Sequence, residues 1–151
     1  MIRKLEKADH LHLVQLYEII ANQIENPAYF NWSHEKVRSE LLAAQTLIYD
    51  WQEQVISFIT YRELPDFIEI TAVGTAPLMR RKGFSQAILH ELAGYAARQN
   101  KPLGLEVHQD NVPALSLYQK WGFILARTRA NYYPDGRDAA VLTYKKSGPA
   151  Q

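Results

Sequence analysis

Phe67-Ile68-Glu69-Ile70-Thr71-Ala72-Val73-Gly74-Thr75, followed by Arg80-Arg81-Lys82-Gly83-Phe84-Ser85, occupies the middle of the chain. The first run is rich in β-branched residues and alternates, so it predicts a strand, with Gly74 as a candidate bulge. From Phe84 to Asn100 the period becomes helical, with Ile88, Leu89, Leu92 and Tyr95–Ala96 on one stripe. Leu103 to His108 is strand-like again. A strand, a basic glycine-containing loop, a helix and another strand predict an α/β domain.

The flanks agree with that reading. Upstream, Ile2 to Leu5 predicts a short strand, and Asp9 is placed to cap a helix reaching about Gln23, with Leu13, Leu16, Tyr17, Ile20 and Ile24 at helical spacing. Ser33 is placed to cap a second helix, with Glu35 in its first turn and Val37, Leu41 and Leu42 as its buried stripe. Thr46 to Trp51 and Val55 to Tyr61 predict two strands around a short polar turn, and Leu64-Pro65-Asp66 predicts another turn. Downstream, Val112 to Trp121 predicts a short helix closed by Gly122. Ile124 to Arg129 and Ala139 to Lys145 predict the last two strands. The expected organisation is one domain over residues 1–146 and a tail over 147–151.

Composition narrows the function classes. Of 151 residues, 17 are basic and 16 acidic, a net charge of +1, so no global basic field points to nucleic acid. There is no cysteine, which excludes disulfides, thiolate nucleophiles and cysteine-ligated metals and fits a cytoplasmic location. No apolar run is long enough to predict a membrane span. His10 and His12 are not three or four apart, and His90-Glu91 lacks the second histidine of a zinc helix, so no metal site is expected.

Three segments are candidates for chemistry. Arg80-Arg81-Lys82-Gly83-Phe84-Ser85 stands between a strand and a helix. A glycine there lets backbone approach a ligand, and the unpaired N–H groups of the helix start would face an anion. The same composition also describes a basic surface turn. It lacks the Walker pattern. In Leu105-Glu106-Val107-His108, Glu106 and His108 share one strand face, and a carboxylate among apolar residues is either paired, used, or at an exposed edge. Asn111 reads equally as a helix cap. Asn131-Tyr132-Tyr133-Pro134-Asp135-Gly136 is either a loop presenting tyrosines to a peptide or a turn with aromatics in the core.

In this order and spacing, the segments resemble the GCN5-related N-acetyltransferases over nearly the whole chain, about Leu5 to Lys145. The family's acetyl-CoA signature, Q/R-x-x-G-x-G/A, appears as Arg80-x-x-Gly83-x-Ser85, with Ser85 departing from the usual Gly or Ala. Within the family the chain is most similar to the RimI-like branch, which acetylates the N-terminal alanine of a ribosomal protein. The shared residues are Asn31-Trp32-Ser33, Leu105-Glu106-Val107, Asn111-x-x-Ala114-x-x-Leu117-Tyr118, Trp121-Gly122-Phe123 and Asn131-Tyr132-Tyr133-Pro134. Val73-Gly74-Thr75-Ala76-Pro77 and His108 depart from that branch, where Val-Asp-Pro and an arginine are usual.

The resemblance implies a mixed, mostly antiparallel sheet of six or seven strands with about four helices, its central strands splayed into an acetyl-CoA slot. It implies acetyl transfer from acetyl-CoA to an amine, with Glu106 as base and Tyr118 as acid. Val73 and Thr75 would lie beside the pantetheine, and Arg80, Arg81, Lys82, Gly83, Phe84 and Ser85 would hold the pyrophosphate. Asn111 and Tyr118 would also contact the cofactor, while Trp32, Glu106, Tyr132 and Tyr133 would meet a protein N-terminus. The alternatives are a small-molecule amine or lysine as acceptor, or a non-catalytic acetyl-CoA-binding module. Retention of Glu106 and Tyr118 argues against the last. A nucleic-acid partner is the remotest reading, because the basic run is better matched to CoA phosphates.

Overall fold

The computed structural model describes residues 1–22 and 34–146. Its elements, in chain order, are β1 (Ile2–Lys4), α1 (His10–Ala21), α2 (His34–Ala43), β2 (Gln45–Trp51), β3 (Gln54–Glu63), β4 (Ile68–Thr75), α3 (Phe84–Arg98), β5 (Leu103–His108), α4 (Val112–Lys120), β6 (Ile124–Arg129) and β7 (Ala139–Tyr144). The seven strands form a sheet in the order β1-β2-β3-β4-β5-β7-β6. Four α-helices complete the mixed α/β fold among the described residues, as expected. Trp32, Ser33, Ile24 and Gln23 lie outside the described residues, as does the tail at 147–151.

The chain divides into two compact units, Met1–Arg62 with Ile70–Glu91, and Glu63–Glu69 with Leu92–Gln151. In the first, β1 and β2 pair antiparallel, and β2 and β3 form a hairpin. Asp50↔Val55 and Trp51↔Gln54 flank Gln52 and Glu53, both at positive φ (52° and 63°). Two left-handed residues give a hairpin turn whose twist matches the strands. Leu13, Leu16, Tyr17 and Ile20 of α1 pack with Val37 and Leu41 of α2, Ile48, Phe58 and Ala72 into one buried cluster.

Three expectations need correction in this unit. Leu42 is 81% exposed, and the buried stripe of α2 is Val37, Glu40 and Leu41. Glu40 is tolerated inside because Arg62 donates to both its oxygens (2.8 and 2.6 Å) and Thr71 donates a third bond. That bidentate guanidinium holds the Glu40 carboxyl below its ordinary range. Asp9 does not cap α1 with its side chain. Its carboxylate instead accepts the Glu6 N–H and pairs with Arg3, closing the short 3-10 turn Lys7–Asp9 that precedes the helix. Gly74 does not break β4, which runs unbroken to Thr75. The glycine is needed for close approach, since a Cβ there would lie 2.6 Å from the Phe58 ring and 2.7 Å from Ile20.

In the second unit, β4 and β5 run parallel and pair at Ile68↔Leu103 and Glu69↔Gly104. β5 pairs antiparallel with β7 along its whole length, and β7 with β6. The last helical turn of α3 closes on Asn100 at φ 56°, with Lys101 N–H reaching the Ala96 carbonyl. Gly122 at φ 103° ends α4, and Phe123 N–H bonds back to the Tyr118 carbonyl. Among the described residues no helix is long and apolar enough to cross a membrane.

Candidate active site

β5 carries the decisive residues of the second unit. Leu103, Leu105 and Val107 are buried on one face, which fixes Glu106 and His108 on the other. β5 lies between β4 and β7 rather than at the sheet edge, but its pairing with β4 stops at Glu69↔Gly104, two residues short of Glu106. In register, Glu106 lies beside Val141 and then Arg127, while His108 lies beside Ala139 and then Arg129. These side chains share one sheet face. Ala139 is too short to block the row, and Arg129 reaches across β7 to bond Glu106 Oε1 at 2.5 Å. The guanidinium also stacks over the Tyr132 ring, with Cζ 4.3 Å from its centroid. Burial and the facing Glu106 carboxylate both raise the Tyr132 phenol above its usual value.

The loop that follows β6 is tied to the end of β5. His108 is buried, accepts the Asp110 N–H at Nδ1 (3.1 Å), and thereby presents Nε2–H to Asp135 at 2.7 Å. Its ring packs against Tyr133, centroids 4.7 Å apart, and Tyr133 meets Tyr132 edge-on at 5.0 Å. Burial raises the Tyr133 phenol. Arg137 bonds Asp110 (3.0 and 3.3 Å), Asp138 N–H bonds Gln109 Oε1 (2.7 Å), and Gln109 N–H bonds the Asp138 carbonyl (3.0 Å). The structure thus brings Glu106, Tyr132 and Tyr133 together. Arg129 and Asp135 belong to the same cluster; Arg129 was not among the sequence candidates, and Asp135 stood in a candidate segment with no role assigned to it.

Tyr118 sits on α4 with its ring edge-on to Trp121 and Phe123, each 5.7 Å away. Burial pushes its phenol up to about 12, so it carries its proton throughout the neutral range. Asn111 caps α4, its Oδ1 accepting from Ala114 N–H at 3.3 Å, which leaves the amide NH2 as its remaining polar group for a ligand.

In the first unit, β4 ends at Thr75, whose hydroxyl is 2.8 Å from Ser57 Oγ. Ser57 also bonds the Gly74 carbonyl at 3.0 Å, and the Val73 side chain is half-buried. After the 3-10 turn Pro77–Met79 the chain enters the basic loop, with Arg81 at φ 63° and Gly83 at φ 83°. Arg80, Arg81 and Lys82 are exposed there. An ideal Cβ on Gly83 would meet nothing within 4 Å, so glycine is required by conformation and the space before α3 is open. Phe84 is anchored by its ring on Tyr49 and Trp51, centroids 4.7 and 6.0 Å away. Its own contribution to a ligand is therefore the backbone N–H, together with that of Ser85. Successive N–H groups at the start of a 15-residue helix beside three cations fit a phosphate.

The family model for the acetyltransferase (GNAT) family matches residues 10–123. The chain belongs to the GNAT acetyltransferase family. Across 144 residues it is 27% identical to a provisionally named ribosomal protein bS18-alanine N-acetyltransferase of Bacillus subtilis, covering 92% of this chain and 89% of that one. The crystal structure of the ribosomal-protein-S18-alanine N-acetyltransferase from Escherichia coli shares the fold, with a TM-score of 0.78 at 22% identity over 100% of this chain and 97% of that one. A GNAT acetyltransferase from Elizabethkingia anophelis, solved with acetyl-CoA bound, does so with a TM-score of 0.77 at 17% identity over 97% of each chain.

Proposed function

We propose that this GNAT chain transfers the acetyl group of acetyl-CoA to the N-terminal α-amine of a cytoplasmic protein, an alanine-starting ribosomal protein being the first acceptor to test. One observation carries the reading: the Glu106 carboxylate and the Tyr132-Tyr133 loop occupy the same end of β5, held by Arg129 and by the His108–Asp135 bond. A base next to an aromatic loop suits an extended peptide that offers its first residue.

Acetyl-CoA supplies an activated acyl group as its thioester. Arg80, Arg81 and Lys82, with the N–H groups of Gly83, Phe84 and Ser85, are the groups that hold its pyrophosphate. Val73 and Thr75 at the end of β4, and separately the Asn111 amide at the start of α4, would be its further contacts. An α-ammonium has a pKa of ~7.7–8.0, so an appreciable neutral fraction exists near pH 7. A lysine near ~10.4 would require about 3 kcal/mol more at ~1.36 kcal/mol per unit. Glu106 accepts that proton, directly or through a water. Tyr118, protonated throughout the neutral range, delivers a proton to the departing thiolate. The apolar surroundings that raise the phenol raise a neighbouring thiolate in the same direction, which keeps donor and acceptor matched.

The test is acetyl-CoA-dependent thiol release with two peptides, one with a free N-terminal alanine and one N-terminally blocked with an internal lysine. The reading predicts turnover with the first alone. Turnover with the blocked peptide alone would point to lysine, and turnover with neither, despite CoA binding, to a small amine or a non-catalytic role.

A further inference from the structure

Arg129 is not required by the sheet. Every residue of β6 is exposed, and an arginine on such a strand is well solvated without a partner. It is nevertheless directed inward across β7, over Ala139, onto a carboxylate whose side chain is only 18% exposed. Two contacts fix its plane, the Glu106 oxygen on one side and the Tyr132 ring beneath. The arginine side chain is 43% exposed, and the ring contact adds to the ion pair a second restraint on the guanidinium plane.

Resting on the acetyl-transfer reading above, we propose that Arg129 is the positioning residue for the base: it takes Oε1 of Glu106 and fixes the carboxylate relative to Tyr132, so that the acceptor amine meets it in one orientation. Glu106 has rotatable bonds that β5 alone does not restrain, and proton transfer demands hydrogen-bond reach along a defined direction. Arg129 touches neither acetyl-CoA nor the leaving thiolate in this scheme. It acts through Glu106, and its stack on Tyr132 links the base to the loop that receives the peptide.

The experiment measures kcat and KM by thiol release with a free-alanine peptide for the wild type, Arg129→Gln, Arg129→Lys, Glu106→Gln and the double variant Glu106→Gln/Arg129→Gln. Arg129→Gln is expected to lower kcat about tenfold with KM for acetyl-CoA unchanged, less than the ~100-fold that a 1 Å misplacement of a reacting group can cost. Arg129→Lys keeps the charge but not the planar guanidinium that stacks on Tyr132, and is expected to recover part of that loss. In the Glu106→Gln background Arg129→Gln is expected to cost nothing more. A wild-type kcat for Arg129→Gln, or the same fold-loss in both backgrounds, overturns the role of Arg129 while leaving Glu106 as base. A wild-type kcat for Glu106→Gln, or a wild type without turnover on any free-amine peptide, overturns the underlying reading and this proposal with it.

Discussion

Glu106 is a carboxylate on a strand whose opposite face is entirely apolar, and its charge is balanced by Arg129. Replacing it with Gln keeps the shape and, on the proposed role, removes the proton acceptor. We expect Glu106→Gln to lower kcat about 100-fold or more, within the range for general-base loss, with acetyl-CoA affinity unchanged by calorimetry. Unchanged turnover would remove Glu106 from the reaction. Tyr118 gives a prediction in pH. An acid works in its protonated form, so its contribution is present below its pKa and lost above it. With the phenol pushed up to about 12, kcat at saturating substrates should hold to about pH 10. A phenol at the ordinary value of ~10 would be half ionised there, so a kcat that halves by that point through a limb that Tyr118→Phe removes would contradict the raised phenol, and a wild-type kcat in Tyr118→Phe would contradict its role as the acid.

At the scale of elements, Gly74 shows how a strand pattern hides a packing constraint. β4 alternates buried and half-buried residues, and Gly74 falls on the buried side against Phe58 and Ile20. Gly74→Ala forces one of these side chains to move. We expect it to cost about 2 kcal/mol, seen as a fall of about 4–8 °C in the thermal midpoint. A midpoint equal to wild type would show that Phe58 yields freely. Local signals made most elements legible: the β2–β3 hairpin from its strands and turn, α4 from Asn111 and Gly122, α3 from its stripe. The buried stripe of α2 was misread because Glu40 looks like a surface residue until Arg62, 22 positions away, is known to meet it. Asp9 was misread for a related reason: its partner is Arg3 on a strand, and the helix start does not use it.

Across the whole molecule, legibility ends where strand order departs from chain order. β7 is the last strand but inserts between β5 and β6. Glu106 and Arg129 are 23 residues apart, and only that insertion places them in reach across Ala139. Glu106, Tyr132 and Tyr133 were legible as residue types at recognisable spacing, and Arg80 to Ser85 as a loop before a helix. Arg129 was not, because no local period encodes a contact made across a third strand, and the role of Asp135 was not, because its partner His108 is 27 residues away. Under the proposed function the chain acetylates an α-amine in preference to a lysine, whose neutral form costs about 3 kcal/mol more to reach near pH 7. The most direct test is a single peptide carrying both a free N-terminal alanine and an internal lysine, acetylated to partial conversion and fragmented by tandem mass spectrometry. Transfer to the α-amine puts the added acetyl group on the N-terminal residue alone. Acetyl on the lysine, with the N-terminus left free, would contradict it.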